Sequence, residues 1–139
     1  MIVFDVDRLG PWVAERTGGT YYPGSGKAIG LERNGNLVAA VLYDNCTGRS
    51  VQMHVASDST SRWMTREYLG ICFDYPFNQL KVNKIIGLVD STNLEAQRFD
   101  ESIGFVEEHR IKDAGRHGDL IIYSMTRDQC RWLHLFKGK

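Results

Sequence analysis

Asn93 and Asp100 stand seven residues apart in the stretch NLEAQRFDESIGF, residues 93–105. In a helix that spacing sets them about 20° apart, on one border of an apolar face made by Ala96, Phe99 and Ile103. Asn93 suits the N-cap, Glu95 suits the positive end of the helix dipole, and Gly104 suits the left-handed position after the last turn, with Phe105 folding back toward Phe99. On pattern alone this is a capped helix covering a core. A carboxylate such as Asp100 is a poor acid at neutral pH unless burial raises its pKa. His54, in SVQMHVAS, titrates near neutrality when unperturbed and can take a proton directly or through water. Successive strand residues face opposite sides, so His54 could equally point into a helix layer. Asp90 closes the apolar run KIIGLVD, and Tyr123 lies in DLIIYSM. No serine or cysteine occupies a nucleophile elbow, so triad chemistry is excluded. Cys46, Cys72 and Cys130 form no CxxC pair, which argues against a zinc site or disulfide framework and for free thiols in a reducing, cytoplasmic setting.

The elements that must position these groups follow from punctuation and periodicity. At 139 residues the chain has the size of a single domain, residues 1–139, able to bury its own core. Seventeen basic and seventeen acidic residues cancel, so the charge balance indicates no nucleic acid and no membrane partner. The N-terminus lacks the pattern of a signal peptide, and no apolar run reaches the ~20 residues of a membrane span. PWVAERTG reads as a short helix opening at Pro11, and GGTYYPGSG, residues 18–26, as a loop. KAIGLER and LVAAVLYDN flank Asn34-Gly35, a hairpin turn, and SVQMHVAS adds a third strand to the meander. Leu69, Cys72, Phe73, Phe77 and Leu80 recur at helical spacing, with Pro76 expected to kink or end that helix near Tyr75. KIIGLVD is a buried strand, the opening helix follows, and FVEEHRIK and DLIIYSM form a last hairpin. The fold class is α/β: an antiparallel meander, a strand-helix-strand crossover giving a mixed sheet, and a C-terminal hairpin.

Asn93, Ala96, Phe99, Gly104 and Phe105 fall at the spacings of the motif N-x-x-A-x-x-F-Y-x-x-x-G-F. That motif resembles the helix-to-strand segment of the GNAT superfamily, the acetyl-coenzyme A dependent N-acetyltransferases. The element order is similar to theirs over most of residues 27–126. Arg110, Gly118, Asp119 and Tyr123 resemble the subgroup that acetylates the N-termini of ribosomal proteins. The resemblance implies that SVQMHVAS and KIIGLVD splay apart to admit the pantetheine arm. The backbone of Met53, His54 and Val55 would then lie along it, one amide polarising the thioester carbonyl, with Asn93 and Ala96 on the opposite wall. The pyrophosphate would sit on the loop before the first long helix, which family members write R/Q-x-x-G-x-G/A. Here that loop is TSRWMT, residues 60–65, with no glycine. An ungapped alignment puts Thr60, Trp63 and Thr65 on the motif positions, and a one-residue shift is equally defensible. The hydroxyls of Ser59, Thr60 and Ser61 and the charges of Arg62 and Arg66 would replace the lost backbone contacts, Arg62 being suited to bidentate phosphate binding, with Trp63, Met64 and Thr65 completing the candidate cofactor loop.

The activity implied is direct transfer of acetyl from acetyl-coenzyme A, the donor substrate, to a primary amine, without a metal. His54 and Asp90 are the candidate bases. Asp100, at the position where many relatives carry a tyrosine, and Tyr123 are the candidate acids. The competing class is a non-catalytic acyl-coenzyme A binding or protein-interaction module, favoured by the missing glycines and the missing tyrosine. Relatives commonly place two helices between the first strand and the hairpin, whereas here 26 residues precede Lys27. With this shortened N-terminal helical segment the acceptor side should be open unless a second subunit covers it, suiting a protein N-terminus, a lysine or another bulky amine. The apolar segment RWLHLF should pack back on the domain or onto a partner, and a homodimer is expected.

Overall fold

The computed structural model describes residues 1–59 and 62–133. Seven strands form one sheet: β1 (Ile2–Val3), β2 (Lys27–Arg33), β3 (Asn36–Asp44), β4 (Ser50–Ser57), β5 (Lys84–Asp90), β6 (Val106–Ile111) and β7 (Leu120–Thr126). Their order across the sheet is β1-β2-β3-β4-β5-β7-β6, and every pairing is antiparallel except β4 with β5. Among the described residues three α-helices accompany the sheet: α1 (Val6–Thr17), α2 (Arg66–Asp74) and α3 (Leu94–Ile103). The mixed sheet with its single parallel step is the architecture expected from the sequence.

The faces of the sheet are covered unequally. Leu9 and Val13 of α1 bury against Ala28, Ala40, Leu42 and Ala56, so α1 shields β2 to β4 on one face. On the other face α2 and α3 pack with Val41, Tyr43, Val51, Met53, Ile85, Val89, Ile121 and Tyr123 in the larger core. The inner residues of β4 therefore alternate, Val51 and Met53 toward α2 and α3, Ala56 toward α1.

Two proline sites show how the helices are set. Helix α1 begins at Val6, not at Pro11, because Asp5 caps it by accepting from the Asp7 amide; Pro11 is inside. Helix α2 ends at Asp74 and a π-helical turn, Tyr75–Gln79, follows, closed by the Leu80 amide donating to the Tyr75 carbonyl. Pro76 has no N–H to give the Cys72 carbonyl one turn back. The buried Tyr43 hydroxyl donates to that carbonyl instead, at 2.5 Å. The Tyr68 hydroxyl donates to the Ile29 carbonyl at 2.7 Å, a second buried tie between α2 and the sheet. Trp132 and Leu133 pack back on the core, the Trp132 indole donating to the Ile103 carbonyl; residues 134–136 of RWLHLF lie outside the described residues.

Candidate active site

Strands β4 and β5 pair over only three positions, Ser50 with Lys84, Val51 with Ile85 and Gln52 with Ile86. Beyond Gln52, β4 continues to Ser57 bonded only to β3, and β5 continues to Asp90 bonded only to β7. The parting leaves the facing edges of both strands without a sheet partner among the described residues. Backbone groups of that kind need a partner, and an extended ligand arm can supply one. Met53, His54 and Val55 line one side of this gap, and Gly87 to Asp90 the other.

On the α2–α3 side, Asp100 reaches from α3 over Gly87. A Cβ placed on Gly87 would come within 3.2 Å of Asp100 Oδ2, so glycine there makes room for the carboxyl group. Largely buried, with Glu101 adding a like charge, the Asp100 carboxyl is pushed up from 3.8 to about 7. Among the described residues no hydrogen bond to this carboxyl group is found. Tyr123 pairs with Gly87 across β5 and β7, fully buried, and its hydroxyl donates to Glu101 Oε2 at 2.8 Å. Burial first, and that hydrogen bond second, raise the phenol well above its ordinary value. Trp63 packs edge-on against Tyr68 and lies tilted over Phe99, joining the loop before α2 to the face of α3. Phe105 meets the ring of Phe73 rather than that of Phe99.

On the α1 side, His54 Nε2 lies 2.8 Å from Asp44 Oδ1. The register pairs Leu42 with His54, which puts Asp44 one diagonal step away on the same face of β3. With the carboxylate held by Nε2–H, Nδ1 is left for another proton partner. Beside the ring is a cavity of about 20 Å³ lined by Val13, Ala14, Thr17 and Leu42, room for one water. Asp44 was not among the residues singled out from the sequence. The signal that finds it is the hairpin register, which follows once the turn at Asn34 and Gly35 is fixed.

Asp90 is occupied differently. Its carboxylate accepts from the Thr92 amide and hydroxyl and from the amides of His117 and Gly118. The His117 amide is the largest of several donors that hold its pKa well below the ordinary carboxylate range. It ties the end of β5 to the start of α3 and to the loop between β6 and β7. Asn93 caps α3, its side chain accepting from the Ala96 amide at 3.0 Å, and Thr65 caps α2 by accepting from Tyr68. Arg62, Met64, Thr65 and Arg66 are exposed around the start of α2. Thr60 and Ser61 lie outside the described residues. A larger cavity, about 310 Å³, lies at the opposite end of the strands between Gly26, Tyr43, Cys46 and Tyr75, and none of the candidate catalytic or cofactor-binding residues lines it. No group of three or more metal-ligating side chains occurs among the described residues, and none of the described helices is long and apolar enough to cross a membrane.

No protein-family model matches the chain. Its sequence is 25% identical over 109 residues, 66% of the chain, to YdaF of Bacillus subtilis, named as a candidate ribosomal N-acetyltransferase; the match spans 60% of that relative's length. A mutant form of the spermidine/spermine N-acetyltransferase SpeG of Vibrio cholerae superposes with a TM-score of 0.69 at 17% identity, over 92% of this chain and 96% of that one. The ribosomal-protein-S5-alanine acetyltransferase of Vibrio fischeri gives 0.62 at 18% identity, over 76% and 64%. The N-acetyltransferase PseH of Campylobacter jejuni, solved with acetyl coenzyme A, gives 0.57 at 16% identity, over 75% and 70%.

Proposed function

Starting from a chain that has the fold of the GNAT N-acetyltransferases, we propose that it transfers an acetyl group from acetyl-coenzyme A to a primary amine, by direct attack in a ternary complex. Asp100 is the observation that carries this reading. A carboxyl group near pKa 7 beside the strand gap is protonated often enough at neutral pH to act as an acid. A departing thiolate has an ordinary pKa of about 8.5, so proton transfer from Asp100 to sulfur runs downhill. Bond by bond, the amine nitrogen joins the acetyl carbon, the carbon–sulfur bond breaks, and Asp100 gives its proton to the thiolate. His54, oriented by Asp44 on the other side of β4, is the residue we assign to take the proton lost by the amine, directly or through one water. Acid and base then lie on opposite sides of the gap, matching a donor and an acceptor that enter from opposite faces. Asp90 and Tyr123 serve as anchors in this scheme, because their oxygen atoms are already engaged.

The donor fits what the chain offers. The unpaired edges of β4 and β5 suit the amides of a pantetheine arm, and Asn93 and Ala96 open the helix on the far wall. Arg62 and Arg66, with the free amides at the start of α2, suit a pyrophosphate despite Glu67 in the same turn. Since α1 shields only β2 to β4, the acceptor approach is open, which suits a protein N-terminus, a lysine or a polyamine. The glycine-free loop at residues 60–65 favours the second reading, a module that binds acyl-coenzyme A without turnover.

Titration calorimetry with acetyl-coenzyme A tests the first step, with binding expected to weaken as salt rises. Mass spectrometry of a cell extract incubated with the protein and labelled donor then reads the acceptor. Binding without any labelled amine would favour the non-catalytic module, and no binding at millimolar donor would reject both readings.

A further inference from the structure

All six residues of β6 are exposed, although it is the long outer strand of the sheet. The opposite edge, β1, has only two residues. We propose that β6 is a self-association edge, where a second copy of this chain adds its own β6 antiparallel and makes one continuous sheet.

The order of side chains carries the inference. A two-fold axis perpendicular to the sheet between Glu108 and His109 sets Val106 opposite Ile111 of the second copy. It also sets Glu107 opposite Arg110 and Glu108 opposite His109. Each match joins an apolar residue to an apolar one, or an acid to a base. The faces agree as well. Glu107 pairs with Tyr123 and Arg110 with Ile121, both on the α2–α3 side. Val106 pairs with Ser124, His109 with Ile122 and Ile111 with Leu120, all on the other side. A bulge between Glu107 and His109 brings Glu107 and Arg110 onto one face, where they already bond at 3.2 Å. In the pair these become a ring of four alternating charges. Glu108 turns to the opposite face, held by Lys84 and Ser124. Slipping the register by one residue would set Glu108 or His109 against its own copy and put the other pairs on opposite faces.

Charges and bulges on an edge strand commonly guard against pairing. This strand has no lysine and no proline, and its charges are ordered to match themselves. Val106 is 50% exposed and Ile111 42% exposed. They extend an apolar strip with Leu88 and Ile122 on the half of the sheet that α1 leaves bare, and pairing would double that strip's width. A six-residue edge covers less than the roughly 1,200 Å² of a stable interface, so association depends on concentration.

Light scattering coupled to size exclusion, on the full chain from micromolar to submillimolar concentration, reads the outcome. The apparent mass should rise toward twice that of the monomer. Glu107→Arg and Arg110→Glu should each stay monomeric, and the double exchange should recover the doubled mass. Circular dichroism confirms that each variant is folded, as expected for exposed positions. A wild-type chain that stays monomeric overturns the proposal, as do single variants that associate normally or a double variant that fails to recover. Donor binding by calorimetry is independent of these results, so failure of the pairing is distinguishable from failure of the acetyltransferase reading.

Discussion

At the scale of single residues, the proposed chemistry turns on the burial of one carboxyl group, that of Asp100. Asp100→Asn keeps the shape but removes the proton, so kcat should fall about 10²-fold with little change in KM for the donor. In the wild type the rate should decline as pH rises through about 7 if the acid is limiting. An Asn variant with wild-type kcat would remove Asp100 from the mechanism. The same shift has a sign for stability. Between 3.8 and about 7 the folded chain keeps a proton that the unfolded chain releases. Stability is therefore full below the ordinary value and lost as pH rises through the folded one. Asp100→Asn escapes that loss, so its melting temperature should exceed the wild type's at pH 8 and equal it at acid pH. Asp44→Asn tests the other side of the gap. It should cost about 10-fold or more in kcat through the orientation of His54, leaving donor binding by calorimetry unchanged.

At the scale of elements, Pro76 and Tyr43 form a linked pair. Tyr43→Phe leaves the buried Cys72 carbonyl without a donor and should cost about 1–3 kcal/mol in denaturant unfolding. Adding Pro76→Ala supplies an N–H to the same carbonyl, so the double variant should regain part of that loss; strictly additive effects would disprove the link. This pair also marks what the sequence can reveal. The break near Tyr75 was legible, because a proline inside an apolar helical period has only local consequences. The tyrosine that repairs it was not, because the contact joins residues 29 positions apart. Likewise the limits of β5 and the cap at Asn93 were legible from short-range patterns. The start of α1 was not, since Pro11 suits a first turn while Asp5 and the burial of Leu9 and Val13 extend the helix backward. For the site, the motif from Asn93 to Phe105 located Asp100, but the room its carboxyl group occupies depends on Gly87, a β5 residue thirteen positions earlier. Gly87→Ala should therefore shift the Asp100 carboxyl by a few tenths of an ångström. The expected result is a lower kcat with a fold that melts within a few degrees of the wild type.

At the scale of the whole molecule, the half of the sheet that α1 leaves uncovered and the gap between β4 and β5 adjoin, so the proposed acceptor approach and the proposed self-association edge share neighbouring surface. The Asp90 anchor has a consequence here. The loop from residue 112 to 119 is largely exposed and carries two glycines, a composition associated with fast amide–solvent exchange. Yet the His117 and Gly118 amides bond to Asp90, the Asp119 amide to the Ser91 hydroxyl, and the Gly115 amide to the Gly118 carbonyl. The Arg116 side chain donates across to the Gly18 carbonyl at the end of α1. In deuterium exchange this loop should therefore behave as part of the sheet, its amides slowed well beyond those of the segment from Gly19 to Gly24. Asp90→Ala should release His117 and Gly118 to rapid labelling while β2 and β3 keep their protection, and equal labelling of the loop in both proteins would show that the anchor does not hold it.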